Sequence, residues 1–345
     1  MAGPVPVSTF GAAPGTFQPL SVPGYTLVPN GGNIFYVRST GRQSGDPAYL
    51  QYVLSTLAEA LALCRANSGD VIQLLPGHTE NVTTTPTFVA GVKIISGGYG
   101  TERATFTWTA TTSNWAINVA NVVIQNCILN MDGAVVARAI TVTGADCSIV
   151  DNDIRVASSA ILLCTIGVDI STGAHRAKVL RNFVRGSNLG LTTAPIRVSG
   201  IAVKNVIIDS NNAVCATVGG GGSAGASIIQ VFAGTSGGTN VLGPTEAVIT
   251  NNTLLNTCPG TNALGSVVGC ILMQDTGTAM ISDGIVANNS MGNNTSVTGG
   301  TSGTTMGTAS GLVFAGTNSI WKPVQNFAAI IGNKSGILAP GTVGT

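Results

Sequence analysis

Two short segment types alternate from about residue 115 to the end of the chain, and no other feature restricts the possible folds so tightly. The first type is apolar and ends in a small or turn residue: AINVA from Ala116, AITVTG from Ala139, GVDISTG from Gly167, PIRVSG from Pro195, SIIQVFAG from Ser227, CILMQDTG from Cys270 and GLVFAG from Gly311. The second follows within a few residues and carries an asparagine near its end. Its members are VVIQNCI from Val122, SIVDNDI from Ser148, KVLRNFV from Lys178, VIIDSNNAV from Val206, AVITNNTL from Ala247, GIVANNSM from Gly284 and AAIIGNKS from Ala328. Asn126, Asn152, Asn182, Asn212, Asn252, Asn289 and Asn333 are thus 26, 30, 30, 40, 37 and 44 residues apart. Longer spacings toward the C-terminus imply inserted loops, such as the glycine-rich GGGGSAG at 219–225.

Each segment has too few apolar positions to bury a face alone, so neighbours must stack to make a continuous core. Parallel strands normally need a long crossover, most often a helix. The connections here have no helical pattern, and winding the chain into a coil is the remaining way to pair them. The reading is therefore all-β: a right-handed parallel β-helix. Asparagine suits a recurring tight corner because it tolerates left-handed dihedrals, and stacked asparagines can hydrogen-bond from coil to coil. An antiparallel sandwich or barrel is the structural alternative, but two-residue hairpin signals are scarce.

The N-terminal third differs. Residues 1–33 contain six prolines interspersed with glycine, which predicts an extended, mostly unpaired stretch. It is either a disordered tail or an arm along a neighbouring subunit, with Phe10, Phe17, Leu20 and Tyr25 as anchors. Residues 34–345 then form the β-helix domain. NIFYVR from Asn33 reads as a first strand. Asp46 followed by Pro47 predicts a helix over about 47–65, with Leu50, Val53, Leu54, Leu57, Leu61 and Cys64 on one stripe. Such a helix is placed to cover the open N-terminal end of a solenoid. Strands follow at Asp70–Leu75 and Val92–Ile95.

Charged residues make up 8% of the chain and hydrophobic residues 44%, which is the opposite of a disordered composition and fits extensive burial, some of it in an assembly. Net charge is +1, so electrostatics give no reason to expect nucleic acid as a partner. Eight of the fifteen basic residues lie between Arg138 and Lys204 beside four acids, and read as a solvated flank. No apolar run reaches the length of a membrane span, and the first ten residues lack the pattern of a secretory signal. The seven cysteines are widely spaced without a CxxC pair. They are expected to be buried free thiols, in keeping with synthesis in a reducing cytoplasm.

Polysaccharide-cleaving chemistry on such a scaffold needs clustered carboxylates as acid and base, or as calcium ligands beside a basic residue. The best cluster is Asp151 and Asp153, two apart and so on one side of a strand. Asp209 could join them from a later coil, with Arg155 and Arg181 nearby. The competing reading is aspartates that stabilise turns beside the asparagine corner. Trp108, Trp115 and Trp321 form no stripe for sugar stacking and are expected to cover the ends or fill subunit contacts. His78 and His175 lack metal-ligand spacing, and His78, after a Pro-Gly turn, is assigned a surface or turn role. No P-loop, nucleophile elbow or HExxH is present. No catalytic, cofactor or metal residue is therefore assigned.

The order NIFYVRSTG, helix, GDVIQLLPGHTENV and GVKIISGGYGTERATFTW, followed by asparagine-bearing rungs and the ending FAAIIGNKSGILAP, resembles phage-encoded proteins with a pectin-lyase-like right-handed β-helix. The resemblance spans roughly residues 34–340. It implies a non-enzymatic virion structural protein made in the host cytoplasm: a head decoration or cement protein, held to the major capsid protein by its arm and assembled as a homotrimer. A tail spike or fibre that binds or depolymerises host polysaccharide is the alternative, and a cellular pectin-lyase-like enzyme a third.

Overall fold

The computed structural model describes residues 32–47, 50, 52–158, 164–186, 194–217, 226–232, 241–257, 268–274, 279–282 and 285–293, with short strands at 304–306, 313–315, 319–320 and 329–330. The arm residues 1–31, the loop at 219–225, and Cys258, Trp321 and Asn333 lie outside the described residues. Among the described residues no helix is long and apolar enough to cross a membrane.

The strands stack into three long sheets of eleven, nine and eight strands, here sheets A, B and C, with neighbouring strands parallel from coil to coil: Ser148–Val150 on Lys178–Leu180 in A, Asp153–Ala157 on Phe183–Gly186 in B, and Val136–Val142 on Cys164–Ile170 in C. The chain runs from A to B to C and back to A, one coil above the last. This is the right-handed parallel β-helix expected from the repeats. Each coil has three strands, not two. The asparagine-bearing segment holds the sheet A strand, a tight corner and the start of the sheet B strand. Two late segments also exchange places: Val313–Ala315 joins sheet A and Ala329–Ile330 joins sheet C. Both types bury alternate residues, so a short apolar run does not say which sheet it enters.

Sheet A sets the geometry. Its inward side chains form an aliphatic column in register from Ile72 through Ile94, Ile124, Ile149, Val179, Ile208 and Ile249 to Val286, none more than 1% exposed. Burying each such side chain is worth about 1.5–3 kcal/mol. Five consecutive strands, from Val123–Gln125 to Val248–Thr250, are each bounded by two residues at positive φ. These pairs are Asn121 and Asn126, Asp146 and Asp151, Arg176 and Arg181, Asn205 and Ser210, and Glu246 and Asn251, always five residues apart. The growth in coil length is taken up between sheets B and C and between C and A.

The corner asparagines divide the two roles expected of them. Asn126, Asn251 and Asn288 take the positive φ, whereas Asn152, Asn182, Asn211, Asn252 and Asn289 each follow a positive-φ residue. Asn152, Asn182, Asn211, Asn252 and Asn289 point inward and are no more than 1% exposed. The Asn152 Nδ2 donates to Asn182 Oδ1 (3.1 Å) and to Ile124 O (3.0 Å), while the backbone N–H of Asn152 also donates to Asn182 Oδ1 (3.0 Å). The same pattern links Asn182 to Asn211, Asn211 to Asn252 and Asn252 to Asn289. The ladder residue is Asn211, whereas Asn212 is an exposed strand residue. Asn126 is not in the ladder either: it takes the positive-φ position and donates to Ser96 O and Gly98 O.

Helix α1 spans Leu57–Leu63, ten residues after the predicted start. Thr56 is its N-cap, accepting from Glu59 N, and Glu59 returns the bond to the Thr56 backbone. Upstream, Val53–Leu54 pairs with Tyr36–Val37 at the edge of sheet A. Asp46 does not cap a helix; it binds Arg38 and accepts from Gln43 N (2.6 Å). The apolar stripe was continuous through residues 50–64, but the sheet edge captures its first part and the Thr56–Glu59 capping box starts the helix later. Leu57, Ala60 and Leu61 join the core beside Val37, Val82 and Phe88, so the helix does cover the N-terminal interior.

Trp108 and Trp115 belong to that interior and not to subunit contacts. Both are at most 1% exposed; Phe88 and Phe106 meet the Trp115 ring edge-on, Trp108 packs tilted against Trp115, and the Trp108 indole donates to Ala139 O (3.0 Å). His78 is also buried, contrary to a surface role. Its Nε2 lies 3.2 Å from Glu80 Oε2, and Phe106 meets its ring edge-on. Cys127, Cys147, Cys164, Cys215 and Cys270 are buried free thiols, as expected. Burial pushes the Cys127 and Cys164 thiols up to about 12, which makes them inert hydrophobes.

Candidate functional site

The three aspartates singled out in the sequence do not form one site. Asp151 stands at the outer corner between sheets A and B, where Arg181 grips it through Nε (2.8 Å) and Nη2 (3.0 Å) and Gln125 donates from the coil before (3.0 Å). Asp209, on the outer face of sheet A, accepts from Thr250 (2.6 Å), Asn251 (2.7 Å) and Ser210 (2.8 Å). Burial works to raise its pKa, but those three hydrogen bonds and the Arg181 charge prevail and hold it below the usual range. Arg181 thus joins Asp151 and Asp209 as one network of corner and strand.

Asp153 opens its sheet B strand and is turned away from that network. It is 2% exposed and surrounded by three arginines: Arg103 from two coils earlier (3.6 Å), Arg155 on its own strand (3.1 Å) and Arg185 from the next coil, whose Nε lies 2.9 Å from Oδ1. Arg155 therefore serves Asp153, not Asp151.

The charged stretch from Arg138 to Lys204 is a solvated flank only in part: Arg138, Arg176, Arg181 and Arg185 are roughly half exposed, whereas Asp153 and Asp169 are buried. Asp146, Asp151, Asp153 and Asp169 bind Arg176, Arg181, Arg185 and Arg197, which lie 30, 30, 32 and 28 residues later. One coil is acidic and the next basic, so a girdle of four ion pairs runs round the solenoid from corner to corner. Asp169 is fully buried, taking two bonds from Arg197 and one from Ser199 (2.7 Å). Arg176 and Arg181 occupy left-handed corners, which disfavour a residue with a Cβ by roughly 1 kcal/mol. Each pairs bidentately with the aspartate of the coil below.

Beside Asp153 lies a cavity of about 340 Å³ lined by Asp132, Arg155, Ala157, Ser158, Arg185 and Gly186. Burial raises the Asp132 carboxyl above its ordinary range, against its own backbone N–H, Ser158 and Arg155. A protonatable carboxyl and two half-exposed guanidinium groups therefore share one opening, an arrangement suited to the hydroxyl and carboxylate groups of a small polar ligand. Sequence reasoning missed Asp132 and Arg185. Arg185 had a signal, since it follows Asn182 by three residues as Arg155 follows Asn152; Asp132 sits in a turn outside the repeated motif and had none. A larger cavity of about 700 Å³ lies between α1 and residues 80–89, with Leu57, Leu61, Val82 and Trp115 among its lining. Among the described residues no group of three or more His, Cys, Asp or Glu side chains is gathered to hold a metal ion.

No family model matches the chain, and no curated protein sequence matches it. Solved structures do resemble it. Pectate lyase Pel9A is 12% identical, with a TM-score of 0.40 over 85% of this chain and 79% of that one. The A-module of the Azotobacter vinelandii mannuronan C-5 epimerase AlgE4 is 12% identical, with a TM-score of 0.36 over 79% of this chain and 91% of that one. A pectin methylesterase in complex with a hexasaccharide is 15% identical, with a TM-score of 0.31 over 79% and 81%. What these proteins act on is a property of each of them.

Proposed function

We propose that the chain is a structural protein of a phage particle: a homotrimeric head-decoration or cement protein that meets the major capsid protein through residues 1–33. The observation that supports it most is the girdle of Asp–Arg pairs. Asp151 and Asp153, the carboxylates a sugar-cleaving reading would need, are committed to arginines of the neighbouring coils and hold the solenoid together. The resemblance of residues 34–340 to virion β-helices supplies the setting. The test is co-sedimentation with capsids that lack the protein. The full chain is expected to co-sediment, and a chain lacking residues 1–33 to stay in solution with unchanged circular dichroism; equal binding by both would refute anchoring by the arm.

The cavity beside Asp132, Arg155 and Arg185 favours a second reading, a spike or fibre that binds or depolymerises host polysaccharide. Incubation with host capsular polysaccharide decides between them. The structural reading predicts no reducing ends or unsaturated products; release that disappears in Asp132→Ala or Asp153→Ala would establish the second.

A further inference from the structure

We propose that the cavity beside Asp132, Arg155 and Arg185 is a binding site for a phosphate group, taken as a monoester on a sugar or polyol or as the free ion. Asp146 and Asp151 each meet one arginine, and Asp169 meets two. At Asp153 one carboxylate faces three guanidinium groups, those of Arg103, Arg155 and Arg185. Register makes Arg155 and Arg185 direct cross-strand neighbours, a like-charge pairing that by itself destabilises a sheet. Their own neighbours in that outward column, Asn130 and Val214, carry no charge. Even with Asp132 ionised, the three arginines outnumber the two carboxyls around them. Burial works against that ionisation, and a protonated Asp132 leaves a larger excess of positive charge.

The excess lies at an opening in the sheet surface. Register slips between Arg155 and Ala157, and bulges of this kind re-aim side chains beside functional sites. Asp153 accepts from Nε and Nη2 of both Arg155 and Arg185. The two guanidinium forks carry about ten N–H donors against about four acceptor sites on one carboxylate, so they can serve a second acceptor. A phosphate monoester brings a charge of about −2 and three acceptor oxygens. That charge meets the excess, and Arg155, Arg185 and the Ser158 hydroxyl line the cavity as three donors. A carboxylate brings a single charge and two oxygens, and leaves part of the excess unmet. At about 340 Å³ the cavity is at the small end of ligand pockets, in keeping with one charged group on a short substituent. The inference deepens the second reading above and rests on this cavity being a ligand site, but it needs no cleavage of polysaccharide.

Isothermal titration of the full chain with inorganic phosphate, glucose 6-phosphate and glucuronate tests the site. Saturable binding of phosphate is expected, at least about tenfold tighter than that of glucuronate. Tighter binding of glucose 6-phosphate than of phosphate would assign the site to a phosphorylated sugar or polyol, and equal or weaker binding to the free ion. Arg155→Gln is expected to weaken phosphate binding at least about tenfold. Ser158→Glu, which adds a carboxylate at an exposed position of the lining and so spares the fold, is expected to do the same. Arg176→Gln removes an equal charge at another corner and is expected to leave binding unchanged. Absence of saturable phosphate binding, glucuronate bound as tightly, full affinity in Ser158→Glu, or an equal loss in Arg176→Gln would overturn the inference. Polysaccharide cleavage without phosphate binding would sink this site alone, whereas phosphate binding without cleavage would sink only the depolymerising activity.

Discussion

Asn211 shows how a single residue carries several coils. Its Oδ1 accepts from the backbone N–H and the side chain of Asn182, and its Nδ2 donates to Val179 O and Asn252 Oδ1. Replacing it with alanine leaves buried donors and an acceptor unpaired, each costing about 1–3 kcal/mol. Asn211→Ala is expected to lower unfolding stability in urea by about 3 kcal/mol. Asn212→Ala, one residue on and exposed, is expected to change it by less than about 0.5 kcal/mol. The pair is informative because both asparagines look alike in the NN dipeptide. The sequence pattern marked the corner, but whether the first or second asparagine turns inward depends on where the positive φ falls, and Ser210 takes it.

Among the elements, α1 is where local and tertiary preferences compete. The helical stripe was visible from Leu50 to Cys64, but a strand edge offering hydrogen bonds to Val53–Leu54 outweighs helix propensity there. Thr56→Ala removes the capping box and is expected to cost about 1 kcal/mol in thermal unfolding. Leu57→Asp with Leu61→Asp opens the N-terminal interior, and aggregated protein on size-exclusion chromatography is the expected outcome; a soluble, unaggregated variant would show that the helix is not a needed cover. Strand type was legible from residue periodicity. The three-strand coil was not, because strands of sheet B begin two residues after the corner and merge in sequence with those of sheet A.

At the scale of the whole molecule, charge ties the middle of the solenoid together. Asp169→Asn leaves Arg197 and Arg138 facing a buried neutral group and is expected to destabilise the chain by about 3 kcal/mol. The carboxyls of Asp46, held down by Arg38 and Gln43 N, of Asp146, held down by Arg176, and of Asp209 all lie below their ordinary values. A depressed folded-state pKa adds stability above the unfolded value near 4 that is lost as pH falls through the folded value. The melting temperature is therefore expected to fall below about pH 4. Asp132 has the opposite sign: raised by burial, it favours the folded chain at low pH and opposes it as pH rises. Asp132→Asn is expected to raise the melting temperature at neutral pH and not in acid. Of the candidate site, Asp151, Asp153 and Asp209 were legible in the sequence, but Asp132 was not, and neither was the division of the three, since Arg181 and Arg185 approach from the next coil at different places. The proposed structural role in a phage head is tested most directly by a reconstruction of the intact particle. A β-helical rod standing on the head surface is the predicted result, and a head shell without that density would contradict it.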